Sequence, residues 1–311
     1  MLSSLVRIIP KSDEQEPDAE DIFTSALGLV FTDDAQNFFG DQDTLVAYRS
    51  RRLDKELLFC TADPLGEVER RKFAHYVWNS SILMAEHIGG KPDSLTWRAP
   101  DESNKKAFDE NVQWWLNEEE QTTWNVTGER VLELGAGAGL AGIMALLMQA
   151  EEVVLSDYPA PTILETLRQN IAGNVPNGLQ AEKRVQVQGH TWGELDTAFA
   201  TAKTHHFTRV LAADCLWMSY EHANLVKSMS HFLSLDTKAR VHVIAGFHTG
   251  RAKVASFFQD VLSATDLIIE SIWECNTDGR RRAWDASRPE DDSGERKKWL
   301  IVAVLKRGVG G

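Results

Sequence analysis

Between residues 129 and 311 the chain alternates short apolar runs with longer stretches in which apolar residues recur at helical spacing. The runs at Arg130–Leu134, Glu152–Ser156, Val185–Gln188, Thr208–Ala213 and Arg240–Ala245 predict strands, most of them apolar nearly throughout, as strands buried on both faces are. Helical spacing fills the gaps at Leu140–Met148, Thr162–Gly173, Glu194–Ala202 and Tyr220–Leu233. Such alternation predicts a mostly parallel sheet with helices on both faces. A further helix over Ala252–Ala264 precedes two last apolar runs, Leu267–Glu274 and Lys298–Leu305. They flank a charged stretch, Cys275–Lys297, without helical periodicity, and read as an antiparallel hairpin closing the sheet.

Upstream, the runs Leu45–Ser50 and Glu56–Thr61 flank the charged turn Arg51–Lys55, as in a β-hairpin. Arg70–Ile88 carries Phe73, Val77, Ile82, Ala85 and Ile88 at near-helical spacing and stops at Gly89-Gly90. A polar insert from Lys91 to about Gly128 contains a second expected helix, Phe108–Trp124, with Trp114, Trp115, Trp124 and an acidic face at Glu118–Glu120. Residues 11–21 are acidic and lack apolar spacing. The chain therefore divides into a flexible acidic N-terminal arm at 1–21, an extension at 22–128 and a catalytic core at 129–311.

Composition narrows the partners. The 33 basic and 46 acidic residues give a net charge of −13, which disfavours a nucleic-acid surface. Cys60, Cys215 and Cys275 show no metal spacing and are too few for a disulfide framework, which suits a reducing compartment, the cytoplasm or the nucleus. Met1–Pro10 is too short for a signal-peptide core, and no run reaches the roughly 20 apolar residues of a membrane span. A soluble monomer is expected.

The chemistry concentrates where the first core strand meets its helix, in Arg130-Val-Leu-Glu-Leu-Gly-Ala-Gly-Ala-Gly-Leu140. Glycines there let the backbone turn tightly and approach a ligand, with the N–H groups of the next helix facing it. Twenty residues after Gly137, Asp157 ends the second strand, where a carboxylate can accept both ribose hydroxyls of an adenosine. Gly137, Gly139 and Gly142 also satisfy the dinucleotide fingerprint, so spacing leaves NAD and S-adenosylmethionine open. A short-chain dehydrogenase needs a Tyr with a Lys four residues on. Tyr48, Tyr76, Tyr158 and Tyr220 are followed there by Arg52, Ser80, Thr162 and Asn224. A P-loop is excluded because no Gly-Lys-Ser or Gly-Lys-Thr follows the glycines.

Together with Leu155-Ser-Asp-Tyr-Pro159 and the terminal strand pair, the glycine motif resembles the seven-stranded, Rossmann-like S-adenosylmethionine-dependent methyltransferases. His75-Tyr-Val-Trp-Asn79, Thr191-Trp-Gly193 and Ala212-Ala-Asp-Cys-Leu-Trp217 narrow the resemblance to the lysine-methyltransferase-like family 16. Within that branch the similarity is greatest to fungal proteins described as nicotinamide N-methyltransferase-like, related to the enzyme that methylates the N-terminus and a nearby lysine of translation elongation factor 1A. It covers roughly Asp21 to the end, less residues 91–127.

The resemblance implies an N-methyltransferase with S-adenosyl-L-methionine as methyl donor and no metal. Gly135, Ala136, Gly137 and Gly139 would belong to the donor loop, Asp157 and Tyr158 to the ribose end, and Trp78, Trp192 and Ala213 to the adenosyl pocket. Each Trp has an alternative as core filler, and Asp157, followed by Pro159, as a turn residue. Glu133 reads equally as charge complement to the sulfonium or as a carboxylate bonded to backbone. Asp214 opens the family's Asp-x-x-Tyr/Phe motif and is the catalytic candidate, with a helix-capping carboxylate as the alternative. Trp217 stands where the family has Tyr or Phe, which keeps a ring and loses any phenol. Tyr76, His248 and Arg251 are weaker substrate candidates, and His205-His206 lacks a third ligand. The acceptor is expected to be a protein amine, an elongation factor for example, with a small amine such as nicotinamide, or a non-catalytic cofactor-binding scaffold, as alternatives.

Overall fold

The computed structural model describes residues 2–11, 38–41, 43–62, 76–91, 115–180, 184–289 and 293–308. Its strands are β1 (Val6–Pro10), β2 (Phe38–Phe39), β3 (Thr44–Tyr48), β4 (Leu57–Phe59), β5 (Val77–Trp78), β6 (Arg130–Leu134), β7 (Glu152–Asp157), β8 (Val185–Gly189), β9 (Arg209–Ala213), β10 (Arg240–Gly246), β11 (Leu267–Asn276), β12 (Arg281–Ala283) and β13 (Trp299–Arg307). The α-helices are α1 (Asn79–Gly89), α2 (Glu118–Trp124), α3 (Leu140–Leu147), α4 (Pro161–Asn174), α5 (Ala198–Ala202), α6 (His222–Phe232), α7 (Arg251–Ser256) and α8 (Ser293–Lys298).

The central sheet has the order β12-β11-β13-β10-β9-β6-β7-β8. Strands β6 to β10 are parallel, and β13 runs antiparallel between β10 and β11, as the closing hairpin requires. Seven long strands are thus joined by one three-residue edge strand. Period-2 alternation divides the core into two layers. Leu300, Val302 and Val304 of β13 pack on one face with α1 and α3, and Ile301, Ala303 and Leu305 on the other with α6 and α7. Because β6 lies between β7 and β9, the strand order reverses beside it, and the carboxyl ends there open a crevice.

Several boundaries differ from the sequence expectation, each for a local reason. Residues 2–11 are not part of an arm. β1 pairs with β3, and Leu2 and Leu5 are buried, so the hairpin β3–β4 becomes a three-stranded sheet. Residues 12–37 and most of the insert, including Trp114, lie outside the described residues. Of the helix expected over Arg70–Ile88, residues 70–75 lie outside the described residues, Val77 and Trp78 pair with Phe39 and Phe38, and α1 occupies Asn79–Gly89. It ends at Gly90, whose φ of 69° is open to glycine. In the insert, α2 is fixed by a reciprocal capping box between Asn117 and Glu120. The charged stretch holds β12 and α8, which amphipathic periodicity does not reveal in such short, polar segments. Among the described residues no helix is long and apolar enough to cross a membrane.

Candidate active site

The turn after β6 is built on positive φ at Gly135 (68°), Gly137 (55°) and Gly139 (81°). It is tied to β7 twice. Ala136 N–H donates to Ser156 O at 3.0 Å, and Gly137 N–H donates to Asp157 Oδ2 at 2.7 Å. Asp157 Oδ1 accepts from Tyr158 N–H at 2.7 Å. Each carboxylate oxygen can accept more than one hydrogen bond, so these leave capacity for a ribose.

The three glycines are not equivalent. A Cβ on Gly135 would lie 2.9 Å from Cys215 Sγ and 3.1 Å from the Trp192 ring, so Gly135 admits the cavity wall. A Cβ on Gly139 would meet Leu155 at 2.7 Å and Leu167 at 2.8 Å. Gly139 therefore serves the close packing of α3 on β7 and α4, and unlike Gly135 and Gly137 it does not line the cavity above the turn.

Glu133 is buried, and its Oε2 accepts from Gly142 N–H at 2.8 Å. Burial, reinforced by the charge of Asp157, pushes its carboxyl up to about 8 despite that hydrogen bond. A raised folded-state value means that its contribution to stability is fully present below the unfolded value near 4.5 and is lost as pH rises through about 8. Glu133→Gln is neutral at every pH. Its Tm relative to the parent should climb between about pH 5 and about pH 8 in thermal unfolding, and parallel curves would refute the assignment.

Above the turn lies a cavity of about 240 Å³. Trp78 and Trp192 line it, together with Ala136, Tyr158, Ala213, Asp214, Tyr76 and Trp217. Of the expected site residues Gly139, His248 and Arg251 are not on the lining. His190, Thr191, Ser81, Met218, Tyr220 and Glu221 also line it and had not been singled out. His190 could have been found, since it is the first residue past β8 at the carboxyl edge. Its Nε2 shares a 2.9 Å hydrogen bond with Ser228 Oγ, which also accepts from Gly193 N–H, pinning the turn that carries Trp192. Burial lowers the His190 imidazole to about 4, so it is neutral at physiological pH.

Asp214 follows β9 with φ of 57°, a conformation uncommon outside glycine. Its Oδ1 accepts from Gly246 N–H and its Oδ2 from His248 Nε2–H, both at 2.9 Å. Burial would raise this carboxyl, but His248, Gly246 and Ser80 outweigh it and bring it below the ordinary value. His248 thus touches Asp214 rather than the cavity. Arg251 does not face the cavity either. It forms a two-pronged ion pair with Glu274 at 2.7 and 2.9 Å. His206 is paired with Glu152, and His205 shares contacts with Leu233 O and Arg307.

Glu133, Asp157, Asp214 and Glu221 line the cavity, whereas no Lys or Arg does among the described residues. A dinucleotide would bring two phosphate charges into this field. S-adenosylmethionine brings a sulfonium and an ammonium against a single carboxylate. The cavity fits the latter.

Fold and site together define a Rossmann-like, S-adenosylmethionine-dependent methyltransferase. The lysine methyltransferase family matches residues 65–264, and the chain belongs to it. A relative from Schizosaccharomyces pombe, Protein N-terminal and lysine N-methyltransferase efm7, is 28% identical over 207 residues, 65% of this chain and 68% of the relative. Protein N-lysine methyltransferase METTL21A of Danio rerio is 36% identical over 113 residues, which span 36% of this chain and about half, 48%, of that protein. The solved ribosomal protein L11 methylase from Lactobacillus delbrueckii subsp. bulgaricus superposes with a TM-score of 0.38 at 14% identity, covering 59% of this chain and 72% of that one.

Proposed function

We propose that this chain methylates an amine nitrogen of a protein, a lysine side chain or an N-terminal amine, in the manner the names of its relatives describe. The observation that carries the reading is the acidic cavity itself. The Asp157, Asp214 and Glu221 carboxylates gather, beside the buried Glu133 carboxyl, where a cationic donor and a basic amine must meet. The chain's net charge of −13 favours a basic partner segment, and a translation elongation factor is the acceptor the sequence resemblance points to. Three free thiols, two of them buried, suit the cytoplasm or nucleus.

The roles follow from position. Asp157 would accept the ribose hydroxyls, Trp78 and Trp192 would stack against the adenosyl group, and the tight turn at Gly135, Ala136 and Gly137 would let the methionine end of the donor approach the backbone. S-adenosylmethionine supplies the methyl group, the C–S bond breaking onto sulfur as the nitrogen lone pair forms the N–C bond. Asp214 attracts the amine and stabilises the positive charge that develops on nitrogen. Trp217 and Tyr76 wall the approach and exclude water, so the amine is aimed rather than activated. Phe38, with its ring centroid 4.3 Å from Tyr76 and 5.3 Å from Trp78, extends this wall outward from a segment before the family match.

Incubation with radiolabelled S-adenosylmethionine and a cell lysate, followed by separation of proteins from small molecules, tests the acceptor. Label is expected in protein, recovered on lysine or the N-terminal residue after hydrolysis. Label confined to small molecules would replace the protein acceptor by a small amine. Absence of both transfer and calorimetric binding at millimolar donor would leave only a scaffold.

A further inference from the structure

Both oxygens of Asp214 are committed to the end of β10 and the loop after it, at Gly246 and His248, which is unexpected for a carboxylate whose task is to face an amine. The commitment is built into the chain. Gly246 has no side chain because a Cβ there would lie 2.5 Å from His248 Nε2 and 2.7 Å from its Cε1, so only glycine lets the imidazole fold back onto Asp214. On another side Trp78 packs against the same imidazole, with ring centroids 4.9 Å apart and planes 57° apart. Asp214 itself is held at φ 57°, a cost that persists because Gly246 N–H and His248 Nε2–H both grip its carboxylate.

We propose that His248 is a positioning residue that sets the charge Asp214 presents to the acceptor amine. With a neutral imidazole the pair is anionic and draws the amine. With an imidazolium the pair is neutral, and its pull on the amine is lost. The inference rests on the methyltransfer reading above and assigns a residue that makes no contact with the cavity. The charged groups facing His248 are Asp214, at the end of β9, and Arg296, on α8. Burial lowers this imidazole, Arg296 lowers it further, and Asp214 outweighs both, so it titrates above its ordinary value.

Two measurements on the full chain test the pairing. The first follows the imidazole of His248 by NMR, identified as the signal missing from His248→Gln, while pH is varied without donor or acceptor. Its midpoint should fall in Asp214→Asn, which removes the charge that raises it. The second compares methyl transfer by the parent and His248→Gln from about pH 6 to about pH 9, with radiolabelled S-adenosylmethionine and lysate protein as acceptor. Gln keeps a hydrogen-bond donor for Asp214 and cannot titrate. The acceptor's own ionisation cancels in the ratio of the two rates. That ratio should rise about tenfold in the parent's favour as pH passes the NMR midpoint. A flat ratio overturns the proposal, as does a midpoint that stays in place in Asp214→Asn. Calorimetric donor affinity within about threefold of the parent shows that the Gln variant is folded, and His248→Asn takes its place otherwise. Absence of transfer by the parent at every pH would sink the methyltransferase reading instead, while the NMR midpoint would still decide whether Asp214 and His248 act as a pair.

Discussion

Replacing Asp214 with Asn is expected to slow methyl transfer by a factor of about 100 to about 1,000, while donor affinity stays within about threefold. Asn keeps the side-chain shape and is one of the few residues that tolerates the left-handed backbone seen at φ 57°. Its amide oxygen can still accept from Gly246 N–H, so the end of β10 keeps that anchor. What disappears is the negative charge beside the nitrogen at the moment positive charge develops there. Inside a buried site such a loss is not made good by water. Asp214→Ala is the less informative variant. It orphans a buried N–H and sets Ala at positive φ, costs of about 1–3 and about 1 kcal/mol that would mix folding with catalysis. Rates from label transfer and affinity from calorimetry separate the two effects. Near-parent turnover in the Asn variant would remove Asp214 from the mechanism, and loss of donor binding would reassign it to the donor site.

The same residue shows what the sequence could convey. Its place after the fourth core strand was legible, because parallel strands buried on both faces leave apolar runs and their carboxyl ends mark the ligand edge. The glycine turn, Asp157, Trp78 and Trp192 were legible for the same reason, each lying at a strand end or in a motif that does. The commitments of Asp214 were not. Its partners lie 32 and 34 residues along the chain, and no local pattern announces a carboxylate turned toward a later loop. The role of Gly139 was hidden differently. In the fingerprint it looks like its neighbours, and only the side chains of Leu155 and Leu167 show that it serves packing. Val77 and Trp78 carried helical spacing but were drawn into a strand by Phe38 and Phe39, a pairing across some 40 residues that periodicity cannot register. The charged stretch after β11 hid an ion cluster that helps hold the closing strands in place.

In that cluster, Glu274→Gln is expected to lower stability by about 3–5 kcal/mol, the usual cost of breaking a buried ion pair from one side. For a chain of this size that corresponds to a fall in Tm of about 5–8 °C. Glu274 is 0% exposed on β11, accepts hydrogen bonds from the guanidinium groups of Arg251 and Arg282, and forms a looser ion pair with Arg288. The three do not suffer equally from its loss. Arg282 and Arg288 are partly exposed, at 21% and 29% of their side chains, and can turn into water. Arg251 is 5% exposed and packed against Phe247 and Trp284, with its guanidinium 4.5 and 5.3 Å from their ring centroids. Its charge would stay buried without a carboxylate, beside the two rings and the Asp285 carbonyl. If that orphaned charge is the cause, removing it should restore most of the loss, because well-packed apolar residues often replace a buried ion pair at little cost. The double variant Glu274→Leu, Arg251→Leu is therefore expected to recover at least half of the Tm lost in Glu274→Gln. Thermal unfolding decides between the outcomes. A Glu274→Gln protein within about 2 °C of the parent would show that Arg251 finds water after all. A double variant no better than the single one would place the cost in the geometry of β11 and β12 rather than in the buried charge.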